Sequence, residues 1–359
     1  MKKFTAVILS ILMAVSVFTA CGKKNDENKK NEEQQNEQIQ KYDDVKLDSG
    51  IIATVNDEQI TVGEIEFYLA QYCESIYSQN GLAQATAEEK QSFWDKEENG
   101  VKIKDSFYDN ALDGYIGLVS MVNLAKEKGI DVTDEEVDAE LAQEGIDTAI
   151  EHYSTTYGVT RESIASYMKR QMIYEKYATE YIEKDERMNI SDEAVKDYFS
   201  ENYIKAQHIL KMTIDQETNA PFSDEDKKKA YESAQAVLEK VKADGADFKA
   251  IMLEESEDPG SKSEPDGYVF KEGDMVTEFY ETAKALKDNE ISDIVETSYG
   301  YHIIKRLPLD LEKDLEDNKD NITSALKTKV FQEILKESKE KMNVKADYTQ
   351  LYAIEGILY

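Results

Sequence analysis

The chain has 359 residues, with 43 Lys and Arg against 75 Asp and Glu, so its formal net charge is −32. That balance excludes a nucleic-acid-binding protein, because none of it assembles the basic face that phosphate requires. With 40% hydrophobic residues and two widely separated Cys, the chain has enough apolar mass for two or three domain cores and no disulfide framework.

Residues 1–20 read as a processing signal. Lys2 and Lys3 precede an apolar run from Ala6 to Ala20, broken only by Ser10, Ser16 and Thr19. At ~15 residues the run is shorter than the roughly 20 that a membrane span needs and has the proportions of a secretory signal. It ends Phe18-Thr19-Ala20-Cys21-Gly22, which resembles the lipobox of bacterial lipoproteins, with Phe18 where Leu is usual. The resemblance implies a diacylglyceryl group on Cys21, which becomes the first residue of the mature chain. Residues 21–49 then form a flexible tether, rich in Asn, Gln, Glu and Lys and too poor in large apolar residues to fold.

Folded sequence begins with the β-branched run Ile51-Ile52-Ala53-Thr54-Val55, closed by Asn56-Asp57. Thr61-x-x-Glu64, Thr86-x-x-Glu89 and Thr133-x-x-Glu136 each have the Thr-to-Glu spacing of a capping box, and each opens a segment with helical apolar spacing. After Thr160, Ile164, Tyr167, Met168, Tyr174, Ala178 and Tyr181 mark one helical face. No Pro occurs before residue 221. Residues 50–203 therefore read as a helical lobe of four to six helices whose Tyr-rich stripes are core. Cys73 reads as a small buried apolar residue within it.

All four prolines, Pro221, Pro259, Pro265 and Pro308, fall in the next stretch, and the change in composition marks a second domain at residues 204–308. It opens on a strand-like Ala206 to Met212. Ser223-x-x-Asp226 then caps a helix with Ala230, Ala234, Val237, Leu238 and Val241 on one face. Asp247 to Leu253 reads as a short helix, Tyr268-Val269-Phe270 as a strand, Met275 to Leu286 as a helix, and Ile294-Val295 and Gly300 to Leu307 as closing strands. The order is that of a small α+β domain. Helical patterning returns over 309–359, with Ile322, Ala325, Leu326, Lys329, Val330, Ile334 and Leu335 on one face.

Six ordered blocks in 204–308 carry a family resemblance. They are Ala206-Gln207-His208-Ile209-Leu210, Gly245-Ala246-Asp247-Phe248, Ser256-Glu257-Asp258-Pro259-Gly260-Ser261, Gly273-Asp274-Met275-Val276-x-x-Phe279, Glu290-Ile291-Ser292-Asp293 and Thr297-x-x-Gly300-Tyr301-His302-Ile303-Ile304-Lys305. From end to end the segment resembles a parvulin-type peptidyl-prolyl isomerase. With the lipobox and the helical flanks, the whole chain resembles the extracytoplasmic foldase lipoproteins of Gram-positive bacteria (PrsA type). The fold class implied is α+β: a parvulin-like isomerase domain inserted in an all-α, chaperone-like lobe of the trigger-factor or periplasmic-parvulin-chaperone type, built from both flanks.

The resemblance implies a membrane-anchored foldase on the extracytoplasmic face that isomerises X-Pro bonds in unfolded or newly secreted polypeptides. It implies neither cofactor nor metal, and a homodimer through the helical lobe is compatible with it. It assigns Met275 and Phe279 to a proline pocket, and their i, i+4 spacing places them on one face of the expected helix. His208 and His302 become paired imidazoles at the catalytic site with Asp258 beside them, orienting the site rather than transferring protons. Two departures stand out. Where parvulins carry Gly-Gly-Asp-Leu-Gly before the pocket helix, this chain has Glu264-Pro265-Asp266-Gly267-Tyr268, so Tyr268 is the expected substitute for the pocket Leu. Thr213 to Phe222 contains no Lys or Arg, which excludes the phosphate-directed variant of the site. Two other classes fit the chain less well: a holdase with a vestigial isomerase, and a solute-binding lipoprotein, for which four prolines are too few.

Labelled fatty acid is expected to enter the wild-type chain and not Cys21→Ser in a secreting bacterial host. Equal incorporation into both contradicts the lipobox reading.

Overall fold

The computed structural model describes residues 42–358 apart from 99, 144, 217, 219 and 355. The signal, Cys21 and residues 22–41 of the tether lie outside the described residues; the expected end of the tether is instead held, Asp43 and Asp44 pairing with Lys345 and Ala346 and Leu47 N–H donating to Asp347 Oδ2 at 3.0 Å. In chain order the elements are β1 (Asp43–Asp44), β2 (Ile51–Val55), β3 (Glu58–Thr61), α1 (Val62–Gln79), α2 (Ala87–Trp94), β4 (Glu97–Glu98), β5 (Val101–Lys102), α3 (Ile103–Glu127), α4 (Asp134–Leu141), α5 (Ile146–Tyr157) and α6 (Arg161–Tyr177). There follow α7 (Asp192–Asn202), β6 (Tyr203–Met212), α8 (Asp224–Lys242), α9 (Phe248–Glu255), the single turn α10 (Gly260–Ser263), β7 (Tyr268–Lys271), α11 (Thr277–Ala285), β8 (Val295–Thr297) and β9 (Gly300–Leu307). The chain closes with α12 (Lys313–Glu316), α13 (Lys319–Glu340), β10 (Val344–Ala346) and α14 (Tyr348–Tyr352). Two compact units result: a first, of the residues up to Met188 together with Thr328–Tyr359, and a second, Asn189–Lys327. The second is wider than the expected 204–308, because Phe199 of α7 and Ile322 of α13 pack with Tyr203 at the start of β6. Among the described residues no helix is long and apolar enough to cross a membrane.

In the first unit the helix starts are set by local chemistry. Thr61, Thr86 and Thr133 each accept from the backbone N–H three residues on, and Glu64, Glu89 and Glu136 reach back to the cap, so all three capping boxes form. Seven helices precede β6 among the described residues, more than the four to six expected. Gly145, at φ +92°, separates α4 from α5. Of the expected Tyr stripe the part on α6 is core, Tyr174 being buried and Tyr167 meeting the ring of Phe67 edge-on at 5.1 Å; Tyr181, on the π-helical turn Ala178–Ile182 that follows, is exposed.

The flank expected to be all-α also contains a four-stranded sheet of order β1-β10-β2-β3. β2 and β3 form a hairpin through Asn56, at φ +53°, and the C-terminal β10 pairs antiparallel with β2. Strand β10 has only three residues, too few for a periodic signal. Behind it, Ile354, Ile357 and Leu358 are buried in the same core as Cys73, whose Sγ donates to the Ile357 carbonyl at 3.5 Å. Burial pushes that thiol up to about 12.

One buried ion pair ties α6 to the start of α1. Glu64, 1% exposed, closes its capping box with one carboxylate oxygen and takes Arg170 Nε on the other at 2.9 Å. Arg170 also donates to the Gln59 carbonyl at 2.6 Å. Burial opposes ionisation of Glu64, yet the Arg170 guanidinium and the donors Ser166 and Thr61 hold its carboxyl below the usual range.

The second unit is built on the antiparallel sheet β7-β6-β9-β8. Alternation along β6 and β9 sends Ile209 and Ile303 to one face, against Val237 and Val241 of α8 and Phe248 and Met252 of α9. The opposite face carries Ile204, Ala206 and Ile304, packed on Phe279, Tyr280 and Ala283 of α11 and on Phe270 of β7. The α+β class expected of this segment is what the structure has. Phe199 of α7, Tyr203 and Ile322 form a small core at its edge, where Lys205 Nζ meets Asp314 at 2.8 Å.

Removing one member of the buried Glu64–Arg170 pair leaves an uncompensated charge and costs about 3–5 kcal/mol. Arg170→Met is therefore expected to lower the urea midpoint of the first unit, and adding Glu64→Gln to recover part of the loss. An unchanged midpoint for the single variant contradicts this role.

Candidate active site

The two strand histidines meet because of their register. His208 lies opposite Ile304 and Leu210 opposite His302, so the histidines are diagonal neighbours on the sheet face that α11 covers. Their Nδ1 atoms are 3.0 Å apart with the rings near parallel, at 11°. Asp258 joins them from the loop after α9. That loop is drawn onto β6 by Glu257 N–H to the Leu210 carbonyl at 2.9 Å, and the Ser256 hydroxyl accepts from Leu210 N–H at 3.2 Å. Asp258 Oδ2 then stands 2.8 Å from His208 Nε2. On the far side, Thr297 Oγ1 is 2.9 Å from His302 Nε2 and accepts from Tyr299 N–H at 3.1 Å.

Electrostatics orders the protons in this row. The His208 hydrogen bond outweighs partial burial and, with the Tyr268 hydroxyl and Gly260 N–H, holds the Asp258 carboxyl far below the usual carboxylate range. A carboxylate only accepts, so His208 Nε2 donates to it. Burial, with the neighbouring His208 ring, pushes His302 down to about 3, so this ring is neutral. In the arrangement that places a single proton on each ring, His208 Nδ1 is the acceptor, His302 Nδ1–H the donor, and His302 Nε2 accepts from the Thr297 hydroxyl. Every donor in the row Tyr299–Thr297–His302–His208–Asp258 then has an acceptor, and the row points one way.

Phe279 covers the pair. Its ring stands edge-on to His208 at 5.1 Å and to His302 at 5.4 Å, backed by Phe270 at 5.7 Å. Met275 packs on the same cluster, but not from the helix expected to carry both residues. The helix begins at Thr277 behind Val276, whose ψ of 145° is extended. The Asp274 carboxylate, accepting from Lys271 N–H at 2.9 Å, closes a turn before it, so Met275 reaches the cluster from the loop. Tyr268 borders His208 with ring centroids 5.6 Å apart, and its hydroxyl donates to Asp258 Oδ2 at 2.8 Å.

Thus His208, His302, Asp258, Tyr268, Met275 and Phe279 come together in one place. Two contributors stand in the matched blocks but carry no role in the sequence reading. The Thr297 hydroxyl lies five residues before His302, and the Gly260 N–H donates to Asp258 Oδ1 at 3.1 Å. Only a strand register places the first, and a Gly in a loop signals no bond. The third histidine, His152, is in the first unit, paired with Glu74 at 2.6 Å.

An antiparallel sheet between helices, with a pair of imidazoles under an apolar wall, defines a parvulin-type peptidyl-prolyl isomerase domain. Residues 208–307 match the PPIC-type PPIase (rotamase) domain family. The chain is 31% identical over 308 residues to the foldase protein PrsA of Caldanaerobacter subterraneus subsp. tengcongensis, covering 84% of this chain and 87% of that protein. It is 34% identical over 238 residues to the foldase protein PrsA of Geobacillus kaustophilus, covering 64% of this chain and 75% of the relative. A crystal structure of the peptidyl-prolyl isomerase PrsA from Bacillus cereus aligns with 24% identity and a TM-score of 0.31, covering 67% of this chain and 85% of that one. The chain belongs to the PrsA foldase family, and its catalytic domain is a peptidyl-prolyl isomerase.

The neutral, buried His302 couples folding to pH with a definite sign. Its folded value of about 3 lies below the ordinary 6.5, so the stability it confers is full above pH 6.5 and is lost as pH falls towards 3. Within that window each pH unit removes up to about 1.4 kcal/mol. The stability advantage of wild type over His302→Asn, measured by urea unfolding, is expected to shrink from pH 6.5 downward. A pH-independent difference contradicts the neutral buried ring.

Proposed function

We propose that this chain is a lipid-anchored foldase. Residues 1–20 are its signal, Cys21 its membrane attachment and the residues up to 41 its tether; the unit that ends at Met188 and resumes at Thr328–Tyr359 is the lobe that holds clients, and the Asn189–Lys327 unit carries the isomerase. On this reading it works on the extracytoplasmic face, on unfolded or newly secreted polypeptides with X-Pro bonds. The observation that carries the catalytic part is the Phe279 ring set edge-on to both paired imidazoles inside one apolar cluster.

The chemistry asks for little more. Rotation about an X-Pro amide breaks resonance and meets a barrier of ~18–20 kcal/mol. The twisted amide is less conjugated and less dipolar than the planar one, so a water-poor apolar pocket favours it over the ground state. Met275, Phe279 and the ring of Tyr268 grip the proline. His208, Asp258 and His302 fix the polar floor, and no bond to the enzyme is made. The proton row supports an orienting role: His302 is neutral and Asp258 ionised throughout the physiological range.

Phe279→Ala removes the central wall, worth roughly 1.5–3 kcal/mol when fully buried. The expected result is a drop of about ten- to hundredfold in kcat/KM on a short Ala-Pro peptide, with the circular dichroism spectrum unchanged. A folded variant that isomerises at the wild-type rate refutes the pocket. A wild-type chain that suppresses aggregation but isomerises nothing points to a holdase.

A further inference from the structure

Tyr268 departs from the family pattern at a position next to the imidazole row, and its surroundings are built around its hydroxyl rather than its ring alone. We propose that Tyr268 is a positioning residue for the isomerase: its hydroxyl, seated in the space left by the missing Cβ of Gly260, locks the Asp258 carboxylate against His208 and so fixes the direction of the proton row. The inference rests on the reading of this site as the isomerase centre and adds a role to Tyr268 beyond that of a wall.

Three observations converge. The first is the fit between Gly260 and Tyr268. A Cβ built on Gly260 would lie 2.0 Å from the Tyr268 hydroxyl oxygen and 3.1 Å from its Cζ. Gly260 is not among the residues at positive φ, so its backbone does not require glycine. What a Cβ meets first is the hydroxyl, with Asp258 Oδ2, the oxygen it holds, next behind it at 3.2 Å.

The second is how the carboxylate is held. Asp258 Oδ2 accepts from His208 Nε2 and from the Tyr268 hydroxyl, each at 2.8 Å, with Ser261 Oγ at 3.3 Å. Oδ1 accepts from Gly260 N–H at 3.1 Å. With donors on both oxygens, the carboxylate plane is fixed. Without the hydroxyl, Oδ2 keeps only the imidazole as a short partner. The group, which is partly open to solvent, is then free to turn towards water.

The third is how the ring itself is aimed. Tyr268 pairs in register with Ala206 on β6. It follows Gly267, at φ +98°, where a Cβ would come within 2.9 Å of the Ala206 carbonyl oxygen. The backbone entering Tyr268 is thus pressed onto β6, and the side chain is delivered beside His208, two residues along that strand. The consequence reaches the far end of the row. If Asp258 turns away, His208 Nε2 loses the acceptor that keeps its proton there. The preference for Nδ1 as acceptor goes with it, and so does the fixed donor role of His302 Nδ1.

The two roles for Tyr268 separate in Tyr268→Phe, which keeps the wall and deletes the hydroxyl. The full chain, labelled with 15N at its three histidines, is examined by long-range 1H–15N spectra of the ring nitrogens, alongside isomerisation of an Ala-Pro peptide. The wild type is expected to show one fixed tautomer on each of His208 and His302. Tyr268→Phe should average them and lower kcat about tenfold at unchanged KM, one charge-assisted hydrogen bond's effect. Gly260→Ala should do the same by displacing the hydroxyl, and in the double variant the second change should add little, since the hydroxyl it displaces is already gone. Fixed tautomers with wild-type kcat in Tyr268→Phe overturn the proposal, as do effects of the two substitutions that multiply. A wild type inactive on the peptide refutes the function instead, and the ring spectra still decide the role of Tyr268.

Discussion

Two imidazole Nδ1 atoms 3.0 Å apart are the constraint on which the isomerase unit depends. Such a contact holds only when one nitrogen carries a proton and the other does not. Whatever decides which is which decides the state of the site. Here the row is held at one end by Asp258, kept ionised beside His208, and at the other by Thr297, whose Oγ1 lies 2.9 Å from His302 Nε2. Burial of His302 removes the alternative in which that ring carries an extra charge.

The rest of the unit is arranged to keep the two imidazoles of this row buried and still. Strand alternation divides β6 and β9 between two cores. One, against α8 and α9, stiffens the sheet from behind. The other, against α11, contains the histidines and the aromatic residues that cover them. Because Phe279 touches both rings, the apolar wall and the polar floor are one packed object. A change in the wall therefore reaches the hydrogen bonds, and a change in proton placement reaches the wall. This coupling suits a reaction that needs a shaped, low-polarity environment and no chemical intermediate.

What was legible in the sequence follows the reach of each signal. Capping boxes act over three residues, and Thr61, Thr86 and Thr133 all do what their spacing announces. The histidines were visible because ordered blocks around them match a family, and the strands then bring them together. Signals that depend on non-local pairing were invisible. Strand β10 has no pattern of its own and exists because β2 offers an edge. The Thr297 hydroxyl is placed by the β8–β9 register. Met275 and Phe279 have the spacing of one helical face, but an Asp274 turn competes locally and wins, so the helix starts two residues after Met275. Tyr268 reads as an apolar substitution, and only its neighbour Gly260, without a Cβ, reveals that the hydroxyl matters.

The central claim is that the imidazoles orient the site and do not move a proton as the amide rotates. The most direct test compares kcat/KM for a short Ala-Pro peptide in H2O and D2O at matched acidity. With no proton in flight at the transition state, the ratio should be close to unity. A large normal isotope effect, abolished in His208→Ala while the variant remains folded, would mean that the row carries a proton during rotation and would contradict the account.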